Sequence, residues 1–174
     1  MMSDRGFQSL FNRIRRNHAL EHATINLLSH RYPNAQILGL SGPAGFILYT
    51  SLDAEKVSRM VPQALASLQH GLTDLVYHEN CGTNLVMTAI LTTAATLVGF
   101  QAQRRLTLRR FVDLLPQAVL LNVVALLIAA PLSRWVQTRV TTMGDLADVE
   151  IAAINVDQQG TLQRVQVRTR RLQS

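Results

Sequence analysis

Cysteine and aromatic side chains are scarce in this chain of 174 residues, and each scarcity excludes a class of protein. A single cysteine, Cys81, excludes an internal disulfide and therefore a disulfide-stapled scaffold. Aromatic residues make up only 5% of the chain, so stacking platforms for bases are few, and no basic run is interleaved with them. We therefore expect no nucleic-acid partner. The net charge of +6 comes almost wholly from arginine, with Lys56 as the single lysine, and is typical of contact with a membrane surface.

Charged residues are also scarce, at 16% against about 25% in soluble domains, and they are missing from two specific windows. Residues 80–103 contain no ionisable side chain except Cys81, and residues 114–133 contain none at all. A helix needs about 20 mostly apolar residues to cross a bilayer, so the windows predict two transmembrane helices. The alternative is a helical hairpin buried in a soluble core, but adjacent uncharged windows of this length are rare in soluble domains.

The N-terminal part of the chain alternates between helical and strand patterns. Apolar residues at three- and four-residue steps predict one helix over residues 7–30 and a second over residues 54–69. Short β-type runs flank the turn-rich segment 41–45 and predict a hairpin between the two helices. A third strand is expected over residues 72–78.

The C-terminal part returns to strand-like alternation after the apolar windows. Two alternating runs on either side of Asp157–Gly160 predict a hairpin, which we expect to join the N-terminal sheet. The predicted fold class is α+β: a small mixed helix and sheet soluble domain with an inserted two-helix membrane hairpin. Residues 1–80 and 136–174 are assigned to the soluble domain, and residues 81–135 to the transmembrane hairpin.

Two signals in the sequence conflict over membrane topology. The loop between the apolar windows carries Arg104, Arg105, Arg109 and Arg110, and cytoplasmic loops are enriched in arginine, which would place the soluble domain outside. Residues 1–16 are polar and basic with no apolar signal-peptide core, which predicts that this domain stays in the cytoplasm. A shallow re-entrant hairpin would reconcile them. We favour an integral protein of the bacterial inner membrane with a cytoplasmic soluble domain.

The first predicted helix contains the string His-Ala-Leu-Glu-His from His18 to His22. Because His18 and His22 are one turn apart, both imidazoles project from the same face, as when one helix offers two nitrogens to one metal ion. Glu21 lies beside them on the face expected to be buried, where a carboxylate needs a partner. The alternative is a pair of core histidines that hydrogen-bond to a glutamate.

A second cluster, His78-Glu-Asn-Cys81, lies where the soluble domain should meet the first apolar window. Two residues separate His78 from Cys81, and a tight turn at such spacing can direct both side chains at one ion. Taken singly, Cys81 could be a small buried residue and His78 a surface residue at a strand end. Together with the first motif, the cluster predicts a shared metal site, with side chains of His18, His22 and Cys81 converging at the membrane surface.

These two strings, His18 to Thr24 and His78 to Thr83, resemble the signatures of a group of uncharacterised bacterial membrane proteins, the YqhQ-like predicted metal-dependent enzymes and related domains of unknown function. The pattern there is H-x-x-E-H-x-T followed by H-x-x-C-G-T and a transmembrane helix. The resemblance covers the stretch from Asn17 to the end of the second apolar window, and it implies a metal site without implying a substrate.

Two functional hypotheses from different classes follow. In the first, the protein is a membrane-bound zinc hydrolase, peptidase-like, in which His18 and His22 bind zinc, Cys81 or His78 completes the ligands, and Glu21 is the general base. In the second, all four ligands close a structural zinc site in a non-catalytic membrane assembly protein. A further alternative is a site without zinc, in which the histidines sense pH or bind haem. Expected partners are the lipid bilayer and another membrane protein or a peptide substrate.

Overall fold

The computed structural model describes residues 4–100 and 107–172, which form a mixed α+β structure with four long helices and one four-stranded sheet. The elements in chain order are α1 (Asp4–Arg31), β1 (Ile37–Gly42), β2 (Gly45–Thr50), α2 (Ala54–Gln69), a 3-10 helix (Thr73–Val76), α3 (Gly82–Phe100), α4 (Leu108–Val136) with a π-helical extension (Gln137–Thr141), β3 (Val149–Gln159) and β4 (Leu162–Arg171). The predicted α+β class is confirmed. The predicted loop arginines Arg104 and Arg105 lie outside the described residues.

The sheet is antiparallel throughout, in the order β1-β2-β4-β3. The predicted C-terminal hairpin does join the N-terminal one, because β4 pairs along β2 from Gly45↔Arg168 to Thr50↔Gln163. Strands β3 and β4 meet at Gln159↔Leu162, where Gly160 has a φ of 64°, a left-handed conformation that glycine adopts without strain. The sheet therefore draws its strands from both ends of the chain.

The core of this part of the protein lies where α1 and α2 pack on the sheet. Helix α2 follows the predicted bounds, because apolar residues at helical spacing end at Gly71, whose positive φ of 86° stops the helix. The inward-facing residues of α2 are buried, whereas Pro62 lies inside the helix and does not break it. In α1 the burial begins at Asn17, and Phe11, near the start of the helix, is exposed.

Two details of the sequence prediction are wrong. Residues 72–78 do not form a strand but contain the 3-10 helix Thr73–Val76, since exposed Leu72 precedes half-buried Leu75 and buried Val76, which is not the alternation of a strand. Ser41 and Gly42 do not belong to the turn but to β1, and the turn shrinks to two residues, Pro43 and Ala44.

Helices α3 and α4 pack against each other and make few contacts that bury their apolar side chains. Both are long and apolar enough to cross a membrane, by length and composition alone, and only 6% and 11% of their apolar windows are buried. Their interface uses small and hydroxyl residues. A Cβ at Gly99 would lie 3.2 Å from Ala118, and Asn122 donates a hydrogen bond to Thr96 Oγ1 at 2.9 Å. Thr96 thus takes part in the packing of α3 against α4.

The contacts divide the chain into two compact units. One runs from the N-terminus to His78 and resumes at Thr138, and the other comprises Glu79–Gln137. Within the second unit, the start of α3 and the end of α4 are joined by a hydrogen bond of 2.9 Å from Gln137 Nε2 to Asn84 Oδ1. Within the first, α1 is joined to the C-terminal strands through Asp148, which accepts hydrogen bonds from Arg16 at 3.2 Å and from Arg171 Nε at 2.6 Å.

We expect Asp148→Asn to destabilise the first unit modestly at neutral pH and not at all in acid. The hydrogen bond from Arg171, together with the charge of Arg16, lowers the pKa of Asp148 below its ordinary value near 3.8. The ionised side chain therefore contributes stability above that pH, and the contribution is lost as the pH falls through the lowered pKa. Because Asp148 is partly exposed, the loss should be about 0.5–1 kcal/mol. Thermal unfolding of wild type and variant at pH 7 and pH 2.5 measures it.

Asp157→Asn is the matched control, because Asp157 pairs with Arg164 across neighbouring strands at 3.0 Å but is far more exposed. Its replacement should change the unfolding free energy by less than about 0.5 kcal/mol. Equal effects of the two substitutions, or an Asp148 effect that persists at pH 2.5, would contradict the assignment.

Candidate metal centre

Helix α1 brings a run of polar side chains into the protein interior. Asn17, Glu21, His22 and Thr24 are all buried, with Glu21 only 4% exposed and His22 only 1%. Thr24 is satisfied within the helix, since its hydroxyl donates to Leu20 O at 2.8 Å. Apolar neighbours on the same helix, Ala19, Leu20 and Ala23, are fully buried and fix the helix against the core. The buried histidine and glutamate are therefore held by packing rather than exposed to water.

The two histidines of α1 are oriented through the same ring nitrogen. His22 Nδ1 donates to the backbone oxygen of Val76 at 2.6 Å, and His18 Nδ1 donates to the backbone oxygen of Thr141 at 3.0 Å. A carbonyl oxygen can only accept, so in a neutral ring each Nδ1 carries the hydrogen and Nε2 carries the lone pair. Such a bond to the distal nitrogen is what fixes the tautomer and orientation of histidines that bind metals.

The rings of His18 and His22 lie with their centroids 4.2 Å apart, as expected for residues one helical turn apart. The third predicted ligand, Cys81, belongs to the second unit. Two imidazole nitrogens and a thiolate are a donor set that zinc favours. His18, His22 and Cys81 are thus suited in number and chemistry to bind one such ion, and their convergence on it stays a prediction.

The fourth predicted ligand, His78, lies near His22 within the first unit. Its ring centroid lies 5.7 Å from that of His22, and its side chain is half-buried. Cys81 lies directly before the first residue of α3, and the backbone N–H of Thr83 donates to its sulfur at 3.4 Å. The thiolate is the form of cysteine that binds metals.

The carboxylate of Glu21 is held against β1. It accepts a short hydrogen bond from the Ser41 hydroxyl, and a Cβ added at Gly39 would come within 2.0 Å of Glu21 Oε1. Burial raises the pKa of Glu21 above its ordinary value, while the Ser41 hydrogen bond and the nearby His18 oppose that shift. A buried carboxyl group with a raised pKa has a stronger affinity for protons, which suits a general base.

The groups that orient these side chains were not predicted from the sequence. Gly39 and Ser41 alternate along β1 and place small side chains on the face that meets α1. Small residues at alternate strand positions indicate a close approach by another element, and that signal was present in the sequence. The carbonyls of Val76 and Thr141 left no such signal, because any residue supplies a carbonyl.

We expect Gly39→Ala to displace the Glu21 carboxylate and destabilise the protein. The new methyl group would lie 2.0 Å from Glu21 Oε1, so side chain or strand must shift. Overpacking of this kind costs about 1–3 kcal/mol. Gly42→Ala in the same strand is the matched control, since its nearest neighbour would be Gly45 O at 3.9 Å. Thermal unfolding of both variants measures the difference, and equal effects would show that Glu21 does not pack against Gly39.

The structure thus defines an α+β protein with two neighbouring histidines on α1, and with two helices of membrane-spanning length. The chain belongs to the family described as a domain of unknown function (DUF6391), which matches residues 13–154 and so includes His18, Glu21, His22, His78 and Cys81. It is also similar to an uncharacterized protein of Picosynechococcus sp., with 38% identity over 88 residues. That match covers 45% of this chain and 43% of the relative. No solved structure matches the chain.

Proposed function

We propose that this protein is a membrane-bound, zinc-dependent hydrolase, in which His18, His22 and Cys81 bind the metal and Glu21 is the general base. The observation that carries the proposal is the pair of Nδ1 hydrogen bonds to backbone oxygens, which orients both histidines as Nε2 ligands. Three protein ligands are the number found in catalytic zinc sites, which keep one position for water, whereas structural sites use four.

The residues around the cluster can divide the work of hydrolysis. Bound zinc would lower the pKa of its water to about 7 and polarise a carbonyl group. Glu21 would accept the proton of the attacking water and return it to the leaving amine, so that a peptide bond and water yield a carboxylate and an amine. Ser41 and Gly39 hold the carboxylate in one position, so the base does not have to be ordered during reaction.

The membrane location is part of the same proposal. Large apolar side chains are exposed along both helices of the second unit, among them Leu85 at 75%, Leu97 at 65% and Leu127 at 72%. Contiguous exposed apolar surface of this kind is stable in lipid, and helices of this length match the hydrocarbon thickness of a bilayer. We also propose that this membrane is the inner membrane of a bacterium and that the first unit is cytoplasmic. We propose as well that the protein is related to the YqhQ-like proteins, which carry H-x-x-E-H and H-x-x-C-G-T.

Metal-dependent hydrolysis by the purified chain tests the proposal. The full chain in detergent micelles would be stripped with a chelator and assayed with a mixture of internally quenched fluorescent peptides. We expect activity to be absent after stripping and to return with one equivalent of Zn²⁺ but not with Mg²⁺, because nitrogen and sulfur ligands disfavour the harder ion. Hydrolysis that survives chelation, or no hydrolysis in the zinc-loaded protein, would reject the proposal.

A second candidate is a non-catalytic membrane assembly protein with a closed zinc site. The observation that favours it is the proximity of the His78 ring to His22, with centroids 5.7 Å apart, which a small side-chain movement could convert into a fourth ligand. His78→Ala separates the two functions. A closed site should lose most of its zinc affinity, while an open three-ligand site should retain it and keep its activity.

A further inference from the structure

The sheet of the first unit has two edge strands, and only one of them is protected against pairing with another chain. Strand β3 carries the charged residues Glu150 and Asp157 and has a register shift between Ile151 and Ala153. Charges and bulges are the usual means of blocking an edge strand. Strand β1 has the sequence Ile-Leu-Gly-Leu-Ser-Gly, without charge, proline or bulge, and its leucines Leu38 and Leu40 are 62% and 56% exposed.

The register of β1 determines which of its backbone groups point outward. Ser51 N–H donates to Gln36 O, and Thr169 N–H donates to Ala44 O. Together with the register of β1 and β2, these bonds show that the backbone N–H and C=O groups of the even-numbered β1 residues point toward β2. The N–H and C=O groups of Ile37, Gly39 and Ser41 therefore point to the open edge, and among the described residues β1 pairs with no strand other than β2.

Two residues whose backbone groups point to the open edge, Gly39 and Ser41, also contact the proposed general base, Glu21. Gly39 packs against Glu21 Oε1, and the Ser41 hydroxyl donates to Glu21. A cleft of about 270 Å³ opens along the same hairpin, between Leu40 on β1 and Gln166 on β4. Backbone donors and acceptors that repeat about every 7 Å along an edge are matched by the backbone of an extended peptide.

We propose that the open edge of β1 binds an extended polypeptide as an added strand, which makes the substrate class of this site an unfolded or extended peptide. The inference rests on the proposed hydrolase function, because it places the bound chain beside Glu21. Backbone pairing to Gly39 and Ser41 would supply affinity that is independent of sequence, and Leu38 and Leu40 would contact apolar side chains of the peptide. Specificity for the peptide sequence is then expected to be low.

Binding can be measured apart from catalysis by using the metal-stripped full chain in detergent micelles. The probe is a fluorescein-labelled Val-Thr repeat of ten residues, and its control is the same peptide with every backbone nitrogen methylated. We expect saturable binding of the first peptide and at least about tenfold weaker binding of the second, because methylation removes the donors that strand pairing requires. Equal binding of the two peptides, or no saturable binding of the first, would overturn the proposal.

Protein variants locate the binding edge. Leu40→Lys places a charge on β1 at an exposed position, so folding should be preserved, and we expect at least about tenfold weaker peptide binding. Val156→Lys is the matched control on the opposite edge strand, where Val156 is 44% exposed, and it should leave binding unchanged within about twofold. If Leu40→Lys instead dissociates a dimer in sedimentation and the peptide does not bind, the edge pairs with a second copy of the chain and the proposal is wrong.

The two proposals fail in different ways. If the peptide binds at β1 but the zinc-loaded protein does not cleave it, the hydrolase function is wrong and the strand-binding edge stands. If the zinc-loaded protein cleaves peptides and Leu40→Lys changes neither KM nor kcat, the hydrolase function stands and the strand-binding edge is wrong.

Discussion

Replacement of Glu21 by glutamine is expected to lower hydrolytic activity by about 10²–10⁴-fold while leaving the zinc content unchanged. Glutamine has the shape of glutamate and can accept the hydrogen bond from Ser41, but it cannot take a proton from water. Because the proposed ligands are His18, His22 and Cys81, the loss of the Glu21 carboxylate should not remove a ligand. The kcat of the zinc-loaded variant on quenched peptides and its metal content by mass spectrometry give the two readouts.

The same substitution should raise the stability of the metal-free protein at neutral pH. Burial disfavours the ionised carboxylate of Glu21, as the direction of its pKa shift indicates, and an uncharged amide removes that penalty. A gain of about 1–3 kcal/mol in the free energy of unfolding is expected, the usual range for a buried polar group that is poorly compensated. Stability gained with activity lost is typical of a functional residue, whereas a structural glutamate would show stability lost.

Ser41→Ala tests whether the position of the Glu21 carboxylate matters for activity, separately from its ability to accept a proton. It removes the hydroxyl that donates to Glu21 and leaves the carboxylate present. We expect an intermediate loss of kcat, because the base remains but is less well oriented. If Glu21→Gln retains wild-type activity, catalysis by Glu21 is excluded and the closed structural site becomes the better hypothesis.

Local sequence patterns were sufficient to predict the elements that are determined by interactions between residues close in sequence. The bounds of α2 could be predicted because its apolar spacing and Gly71 after it act within a few residues. The joining of the terminal hairpins could be predicted because both show a period of two, and a two-stranded hairpin alone is only marginally stable. The shared face of His18 and His22 follows from helical geometry alone.

The features that were missed depend on contacts between distant residues. Leu72 to His78 has apolar residues that suit a strand or a 3-10 turn, and only the packing of Val76 against the core decides between them. The role of Ser41 was missed because a Ser-Gly-Pro-Ala-Gly string has strong turn propensity, and pairing of β1 with β2 overrides that propensity at its first two residues. The carbonyl partners of His18 and His22 are 123 and 54 residues away in sequence, a distance that no local pattern spans.

Replacement of His18 by alanine is expected to remove most of the zinc affinity of the chain. Structural zinc sites bind with apparent free energies of about 10–16 kcal/mol shared among four ligands, so one ligand contributes roughly 3–4 kcal/mol, or about 10²–10³-fold in Kd. His18 is the better choice than His22 because it is only half-buried, and its removal leaves a smaller cavity. Titration of the stripped protein against a fluorescent zinc chelator measures the change.

His70→Ala is the matched control for this experiment. Like His18, His70 directs its Nδ1 at a backbone oxygen, that of Ala66 at 2.6 Å. It is exposed at the end of α2 and is not one of the proposed ligands. Its replacement should leave the zinc Kd unchanged within about twofold, since a lone exposed histidine binds zinc weakly.

Cys81→Ser should resemble His18→Ala, because a serine hydroxyl is a far poorer zinc ligand than a thiolate. Equal zinc affinity in the wild type, His18→Ala and Cys81→Ser would mean that these residues bind no metal, and the two histidines of α1 would then join the helix to the backbone of Val76 and Thr141.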